Sequence, residues 1–288
     1  MVIHSFAKIN LFLQVINKRP DNYHNLKTVF ERISLKDSIT LKNRRDNLIK
    51  IKCGNKNIPK DENNLCFKAA KILRSKFCPF KGVDISITKR IPIAAGLGGG
   101  SSNAAAVLLG LNRLWGLKLP KIKLAEIAGK IGSDVAFFVY EVPFAFGYGR
   151  GEKIKPLNNL RKVRLWHLLV VPKIHVSTPL IYKHWDNLAG LTKPLYNVKI
   201  FTSALARNNL VFKPGLLFNS LEQVTISQYS KVGRVKEALL KLELSPVLMS
   251  GSGPAVFALL LSGEKALRLA KVIRKTNKSW RVFAVKTV

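Results

Sequence analysis

The alternation of apolar and polar positions predicts that the chain opens on β-strands. Residues 3–16 and 26–41 alternate over short spans, and the segment between them, residues 17–24, is rich in turn-forming residues. A further segment, residues 83–87, alternates in the same way and predicts a half-buried strand. The first third of the chain therefore contributes strands with one face toward a core.

Helices are predicted among and after these strands. Asn63 or Asn64 can cap the first helix, whose apolar residues then share one face. The second helix follows a glycine run through the apolar residues 104–111 and ends near Gly116, a residue suited to the left-handed turn after a helix. The third covers residues 121–131 and is closed by the next glycine.

Beyond about residue 155 the pattern changes, and short apolar segments alternate with longer helical ones. Strands are expected at residues 168–172, 255–261 and 280–285, and helices over residues 177–240 and 264–274. We therefore predict two domains, residues 1–155 and residues 156–288.

The charge of the chain is strongly positive. It carries 49 Lys and Arg residues against 16 Asp and Glu residues, a formal net charge of +33 over 288 residues. Such a balance attracts polyanions such as nucleotides, nucleic acid or anionic lipid. The basic residues are spread along the chain without a long basic block, so the charge by itself does not predict a nucleic-acid site.

The sequence favours a cytoplasmic protein that has no membrane segment. No apolar run reaches the ~18 residues that a membrane-spanning helix needs. Lys8, Asn10 and Gln14 interrupt the first apolar stretch, which therefore does not resemble a secretory signal. The cysteines are odd in number and lack metal-ligand spacing, so they are expected to be reduced structural thiols: Cys53, Cys66 and Cys78.

The densest glycine run predicts a phosphate-binding loop, Pro92-Ile93-Ala94-Ala95-Gly96-Leu97-Gly98-Gly99-Gly100-Ser101-Ser102. Glycines let the backbone approach a phosphate closely, and the helix that follows offers free N–H groups and the positive end of its dipole. Ser101 and Ser102 are expected to cap that helix or to donate hydroxyls to phosphate or Mg²⁺. A flexible loop before a helix is the alternative. The loop is not a Walker A motif, because no Gly-Lys-Ser/Thr follows.

Three polar residues lie where an apolar core would otherwise be expected. Lys8 and Asn10 are two positions apart on a predicted strand, so they face the same side. Asp134 precedes an apolar run and could accept a proton from a substrate hydroxyl. The alternatives are an edge lysine with its charged end in solvent and an ordinary helix N-cap.

Two further turns are candidates for ligand contact. Tyr23 and His24 place two aromatic rings where a base could stack and hydrogen-bond, although a surface turn would look the same. The second turn precedes a predicted strand and could equally be a tight structural turn, Ser250-Gly251-Ser252-Gly253-Pro254.

Together these motifs resemble the GHMP kinases, the family of galactokinase, homoserine, mevalonate and phosphomevalonate kinases. The resemblance runs in order through residues 7–11, 19–24, 92–102, 132–135, 149–152 and 249–254. The loop with three consecutive glycines is similar to that of the 4-diphosphocytidyl-2-C-methyl-D-erythritol kinases within this family. The resemblance implies an α/β (α+β) two-domain GHMP kinase fold, with an N-terminal ATP-loop domain, a C-terminal ferredoxin-like α/β sandwich and an active site between them.

The resemblance also implies a reaction and its residues. ATP, as a co-substrate bound with Mg²⁺, would phosphorylate the 2-hydroxyl of a small molecule that carries cytidine diphosphate. Lys8 and Asp134 would be catalytic, and residues 92–102 would bind ATP. The substrate would contact Asn10, Tyr23, His24, Ser250, Gly251, Ser252 and Gly253. The chain departs from the family pattern at Asn22, Ala136 and Ser220, where glycine, proline and aspartate are common.

Two other functions stay open at this point. A different GHMP kinase, acting on homoserine or mevalonate, would share the loop, but Tyr23, His24 and the three glycines argue against it. A basic nucleic-acid-binding protein would explain the charge of +33, but the chain lacks a recognisable RNA motif. We expect no specific nucleic-acid partner, and the sequence does not predict an oligomeric state.

Overall fold

A computed structural model describes residues 1–187, 194–207 and 215–288. Strands in the described residues form two sheets. The larger one contains β1 (Val2–Lys18), β2 (His24–Arg44), β3 (Ile49–Cys53), β4 (Gly82–Thr88), β5 (Phe144–Gly149), β6 (Lys153–Pro156) and β8 (Phe218–Asn219). The smaller one contains β7 (Trp166–Pro172), β9 (Val247–Met249), β10 (Val256–Leu260) and β11 (Trp280–Lys286).

Strand β2 organises the larger sheet because it is 21 residues long. It pairs antiparallel with β1 along most of its length, with β5 through its first half and with β4 through its second half. The path of the sheet is β3-β4-β2-β1-β8, and β5 and β6 extend it beside β2. The hairpin of β1 and β2 thus carries both Lys8 and the aromatic turn into the middle of the molecule.

Four helices cover the larger sheet: α1 (Leu65–Phe77), α2 (Gly99–Leu114), α3 (Lys121–Ile131) and α4 (Val135–Tyr140). Asn64 caps α1 by accepting a hydrogen bond from the backbone N–H of Cys66, as the sequence predicted. Helix α2 is buried from Ser102 through Leu111, which agrees with its run of alanine, valine and leucine. Gly116 follows α2 in the left-handed conformation, so the predicted helix end is confirmed.

The smaller sheet is antiparallel, with the strand order β11-β7-β10-β9. It packs with α5 (Thr178–Asp186), α6 (Val198–Ala206), α7 (Glu222–Gln228), α8 (Ser230–Lys241) and α9 (Gly263–Thr276). Within this sheet, the first strand in chain order, β7, pairs with the last, β11, as in the predicted ferredoxin-like sandwich. The α/β two-domain architecture expected from the resemblance is confirmed.

The two halves share structure as well as a cleft. Strand β8, from the C-terminal half, pairs parallel with β1 and becomes an edge of the larger sheet. The fully buried Glu31 of β2 accepts hydrogen bonds from His167 of β7 at 2.9 Å and from Thr287 at 2.6 Å. The boundary after residue 155 stays a prediction; that residue lies inside β6.

The prediction of one helical region over residues 177–240 was too coarse. The described part contains four helices and the short strand β8, and residues 188–193 and 208–214 lie outside the described residues. Strands β3, β5, β6 and β9 were also not predicted; each has three to six residues, too few for a clear alternation. Among the described residues, no helix is both long and apolar enough to span a membrane.

Candidate active site

A cleft of about 1050 Å³ lies where the two halves meet. Its floor is formed by β1, and one side is the glycine loop, which we define as residues 92–102. The opposite side comprises the start of β2, helix α5 and the turn between β5 and β6. Of the residues that the sequence predicted, all line this cleft except Ser102, Ser250 and Gly253.

Lys8 is held rigidly in the floor of the cleft. Only 4% of it is exposed, and its Nζ donates a 2.6 Å hydrogen bond to Oδ1 of Asn10. The amide nitrogen of Asn10 donates to Thr28, whose hydroxyl donates to the carbonyl of Phe12. Because this chain of bonds fixes which end of the Asn10 amide faces Lys8, Asn10 positions the ammonium. The direct contact of Asn10 with substrate stays a prediction.

Asp134 lies across from Lys8 with its carboxylate free. Its Oδ2 is 3.5 Å from the Lys8 Nζ, and 32% of its side chain is exposed to the cleft. Asp134 immediately precedes α4, but its backbone is helical and its side chain makes no capping hydrogen bond. The N-cap interpretation is therefore not supported, and the carboxylate remains available to a ligand.

The glycine loop is clamped between the two halves of the molecule. The carbonyl of Leu97 accepts a hydrogen bond from the backbone N–H of Lys8, and the carbonyl of Ala95 accepts one from Ala255. At Gly96, whose φ is +73°, a side chain would collide with the carbonyl of Ser250 at 2.1 Å. Gly96 is therefore needed for the close contact between the halves, and this reason was not visible in the sequence.

The glycines that follow Leu97 leave the start of helix α2 open to the cleft. Gly98, with a φ of +65°, is the N-cap residue, and the helix begins at Gly99. The expectation that Ser101 or Ser102 caps the helix was wrong, because both lie inside its first turn. A side chain at Gly100 would meet only Leu65, at 3.8 Å, so the N-terminal end of the helix faces open space in the cleft.

The turn that contains Ser250 supports the loop from behind. The Ser250 hydroxyl donates to the carbonyl of Gly96 at 3.0 Å and accepts the backbone N–H of Asn10 at 3.2 Å. Gly251 and Ser252 line the cleft, and the Ser252 hydroxyl is 2.7 Å from that of Thr178 on α5. The turn thus joins β1 at Asn10, the glycine loop and α5, and its contact with substrate stays a prediction.

Tyr23 and His24 have different surroundings although they are neighbours. Tyr23 is 52% exposed, and the guanidinium of Arg150 lies 4.8 Å from the centre of its ring. His24 is buried, and its ring packs against the ring of Tyr182 on α5 with 4.8 Å between their centres. The preceding residue, Asn22, adopts a φ of +62°, so the predicted left-handed turn forms without glycine.

Helix α5 supplies polar partners that the sequence did not reveal. Asp186 accepts hydrogen bonds from Nε2 of His24 at 2.6 Å and from Nζ of Lys18 at 2.9 Å. Burial raises the pKa of the Asp186 carboxyl, but the hydrogen bonds and the positive charges of Lys18 and His24 together outweigh burial and lower its pKa below the usual value. Burial, together with the charge of Asp134, raises the pKa of the Tyr182 phenol well above its usual value, so the phenol keeps its proton.

Comparisons with known proteins agree with this geometry. The family model of the GHMP kinases N-terminal domain matches residues 64–142, and that of the GHMP kinases C-terminal region matches residues 202–279. The 4-diphosphocytidyl-2-C-methyl-D-erythritol kinase of Geobacillus sp. strain WCH70 is 43% identical over 274 residues, which are 95% of this chain and 93% of that protein. The chain belongs to the 4-diphosphocytidyl-2-C-methyl-D-erythritol kinase family.

Solved structures support the same family. The crystal structure of a 4-(cytidine 5′-diphospho)-2C-methyl-D-erythritol kinase matches with a TM-score of 0.81 and 32% identity, and the match covers 100% of both chains. The homoserine kinase of Cytophaga hutchinsonii matches with a TM-score of 0.70 at 18% identity, over 100% of this chain and 94% of that one. The second likeness concerns the fold alone.

The cleft of this member of the 4-diphosphocytidyl-2-C-methyl-D-erythritol kinase family has two distinct ends. We call the end formed by the glycine loop and α2 the loop end, and the end formed by Tyr23, His24 and Tyr182 the ring end. Lys8 and Asp134 lie between them. The residues that sequence reasoning missed belong mostly to the ring end. Tyr182 and Asp186 come from a segment distant in sequence that carries no motif, and Arg150 lies in the motif 149–152 but was given no role there.

One further residue at the loop end was missed. Lys89 lies three residues before the glycine loop, and a side chain at Gly99 would lie 3.1 Å from its Nζ. Lys89 forms an ion pair with the fully buried Asp37, which also accepts hydrogen bonds from the backbone N–H groups of Arg90 and Ile91 at 2.7 and 2.9 Å. The carboxylate of Asp37 thus fixes the entry of the chain into the loop. In the sequence, Asp37 stood out only as a charged residue within the alternating segment 26–41.

Proposed function

We propose that this protein transfers the γ-phosphoryl group of ATP to the 2-hydroxyl of 4-diphosphocytidyl-2-C-methyl-D-erythritol. The observation that carries the proposal is the 3.5 Å contact between the Lys8 ammonium and the Asp134 carboxylate, beside the open start of α2. Family membership supports the acceptor, since the relatives are named for this substrate. The product is an intermediate on the methylerythritol phosphate route to isopentenyl diphosphate.

ATP binds at the loop end in this proposal. The first backbone N–H groups of α2 have no partners within the helix, and the helix dipole adds partial positive charge at the same place. Gly100 leaves space for phosphate oxygens to reach these N–H groups. Lys89 adds a positive charge beside Gly99. Because Lys89 is paired with Asp37, its main role is to hold the loop in place.

Asp134 and Lys8 perform the chemistry. As the substrate oxygen attacks the γ-phosphorus, the Asp134 carboxylate accepts the proton of the 2-hydroxyl. The bond between the γ-phosphorus and the oxygen that bridges it to the β-phosphorus breaks, and ADP leaves. The buried Lys8 ammonium stabilises the negative charge that develops on the transferring group, because Asn10 already holds it in place before the reaction.

Mg²⁺ fits the loop end only as a partner of the phosphates. Among residues 1–187, 194–207 and 215–288, no group of three His, Cys, Asp or Glu side chains could hold a metal ion. Mg²⁺ commonly uses one or two protein oxygens together with substrate phosphates and water. The buried Ser102 hydroxyl has no hydrogen-bond partner in this part of the chain but lies outside the cleft lining, so Ser101, which lines the cleft in the first turn of α2, would provide one such oxygen. Bound there, Mg²⁺ would neutralise phosphate charge.

The ring end recognises the cytidine. The exposed ring of Tyr23 offers a stacking surface, and the imidazole of His24 offers a hydrogen-bonding group that Asp186 holds in one orientation. Because the Asp186 carboxylate accepts a hydrogen bond from Nε2 of His24, that nitrogen carries a proton, and Nδ1 of His24 is left to contact the ligand. A cytoplasmic location, where ATP is available, stays a prediction.

An acceptor panel tests this function directly. The purified protein is incubated with MgATP and, separately, with the cytidyl substrate, homoserine and mevalonate, and ADP release is followed in a coupled assay. We expect turnover with the cytidyl substrate only. Good turnover of homoserine or mevalonate, with none of the cytidyl substrate, would place the activity elsewhere among the GHMP kinases. RNA binding with a steep salt dependence and no ATP turnover would favour the nucleic-acid alternative.

A further inference from the structure

The two ends of the cleft leave one part of the substrate without a recognised partner. In the proposed substrate, a diphosphate joins the cytidine to the methylerythritol. If the base lies at Tyr23 and the reacting hydroxyl at Asp134, this diphosphate must lie between those residues. A buried or half-buried diphosphate needs hydrogen-bond donors and positive charge.

Arg150 lies in this position. It belongs to the turn between β5 and β6, flanked by Gly149 and Gly151, which both have positive φ. The guanidinium covers the ring of Tyr23 on one side, 4.8 Å from the ring centre. On the other side, the turn packs against the segment before α4, because a side chain at Gly151 would lie 3.9 Å from the Cβ of Ser133, the neighbour of Asp134.

The guanidinium of Arg150 retains its hydrogen-bonding capacity. Within the described residues, none of its N–H groups donates a hydrogen bond. Its acidic neighbour, Glu152, is 3.9 Å from Nε and instead accepts the backbone N–H of Arg150 at 2.7 Å. Two other cations of the ring end are already neutralised: Arg19 pairs with Asp21, and Lys18 pairs with Asp186. An arginine with a free fork of donors matches a diphosphate well.

We propose that Arg150 binds the diphosphate of the nucleoside-diphosphate substrate, with the ring of Tyr23 holding the guanidinium in place. This inference rests on the function proposed above. It assigns to Arg150 the task of fixing the distance between the base and the reacting hydroxyl. The same guanidinium would favour acceptors with a phosphorylated linker over uncharged alcohols.

Equilibrium binding separates this role from simple support of Tyr23. Isothermal titration calorimetry measures the affinities of CDP and of cytidine for the wild-type protein, Arg150→Ala and Tyr23→Ala. Arg150→Ala should weaken CDP binding roughly 10- to 100-fold, as expected for loss of hydrogen bonds to a charged group, and should leave cytidine binding nearly unchanged. Tyr23→Ala should weaken both ligands, and CDP more than cytidine, since it removes the stacking surface and also the ring that holds the guanidinium.

Two further variants sharpen the test. Arg150→Lys should recover only part of the CDP affinity, because lysine keeps the charge but loses the planar fork. Arg234→Ala, which removes an exposed arginine of α8 outside the cleft, should bind both ligands like the wild type. The CDP advantage of the wild type over Arg150→Ala should shrink as salt is raised.

The outcomes are distinguishable. An equal loss of CDP and cytidine binding in Arg150→Ala would mean that the arginine only supports Tyr23, and unchanged CDP binding would mean that it does neither; both overturn the inference and leave the proposed function standing. A rise in the KM for ATP alone would assign Arg150 to the other nucleotide and would also overturn it. A wild-type protein that binds neither CDP nor cytidine would overturn the proposed function itself.

Discussion

The two ends of the cleft offer different parts of the polypeptide to a ligand. At the loop end, the ligand would meet mainly backbone N–H groups, and the shape depends on side chains that are absent, as at Gly96 and Gly100. At the ring end it would meet side chains: Tyr23, His24 and Arg150. Added atoms should therefore damage the loop end, and removed atoms should damage the ring end.

The ends also differ in how they are held. The glycine loop is fixed by backbone hydrogen bonds and by the Ser250 turn. The ring end is fixed by interactions between side chains, such as the contact of His24 with Asp186 and the stacking of Arg150 on Tyr23. Substitutions at the ring end should therefore change affinity for one substrate while the fold persists.

The largest effect is expected at Lys8 and Asp134, between the two ends. These residues are proposed to act in the chemical step and not in the binding of either substrate. Asp134→Asn keeps the shape of the side chain but removes the proton acceptor, so kcat should fall by about 10²–10⁴-fold with little change in either KM. Lys8→Ala should likewise lower kcat more than it weakens ATP binding. Steady-state kinetics measures both.

Glu126→Gln serves as the control, because it changes an exposed carboxylate of α3 that pairs with Lys123 on the same helix and lies outside the cleft. It should keep wild-type kinetics. A fall in kcat of less than about tenfold in Asp134→Asn, with KM unchanged, would remove Asp134 from the mechanism.

The second effect probes the ring end. Tyr23→Ala removes a stacking surface worth ~1–3 kcal/mol, so the KM for the cytidyl substrate should rise roughly 5- to 150-fold. His24→Ala should raise the same KM, because it leaves polar atoms of the base unpaired. The KM for ATP should barely change in either variant. Equal rises of both KM values would indicate a folding defect instead.

The third effect probes the loop end with one added methyl group. Gly100→Ala suits a helix and meets no backbone within 4 Å, so the protein should fold normally. The methyl group should hinder phosphate approach and raise the KM for ATP by roughly 2- to 13-fold, the equivalent of one net hydrogen bond. Gly54→Ala, a glycine with open space around it and outside the cleft, is the matched control. An unchanged KM for ATP would argue against phosphate binding at this helix end.

The smallest effect concerns the dependence of stability on pH. The pKa of Asp186 is lowered in the folded protein, so its contribution is present above the usual carboxyl pKa and is lost as pH falls through the folded value. At pH 7, Asp186→Asn should lower the free energy of unfolding by about 1 kcal/mol. Chemical denaturation at several pH values should show this difference shrinking below about pH 4. A difference that is constant with pH would contradict the charged contact with His24 and Lys18.

The contrast between the two ends also explains what could be predicted from sequence. The proposed binding of phosphate by backbone N–H groups at the loop end requires glycines at fixed positions, so residue types alone were enough to predict a phosphate site there. Lys8 and Asn10 are two positions apart on a strand, which predicts that their side chains face the same side. In the structure a 2.6 Å hydrogen bond joins them. Local sequence was enough in both cases because the constraint itself is local.

The ring end could not be predicted in the same way. Asp186 is 162 residues from His24, and Tyr182 approaches it only because α5 packs against the start of β2. Ser250 holds Gly96 across 154 residues. Strand β8 joins β1 with two residues, which carry no periodic pattern. Contacts of this kind depend on topology, which the pattern of a single segment does not contain.

The most direct test of the account identifies the product of the wild-type reaction. Phosphorus NMR of the protein incubated with MgATP and 4-diphosphocytidyl-2-C-methyl-D-erythritol should show a new phosphomonoester and ADP in equal amounts, with the cytidine diphosphate linkage intact. Asp134→Asn should form the same product far more slowly. Release of inorganic phosphate without a phosphorylated acceptor, or cleavage of the diphosphate linkage, would contradict the proposed transfer.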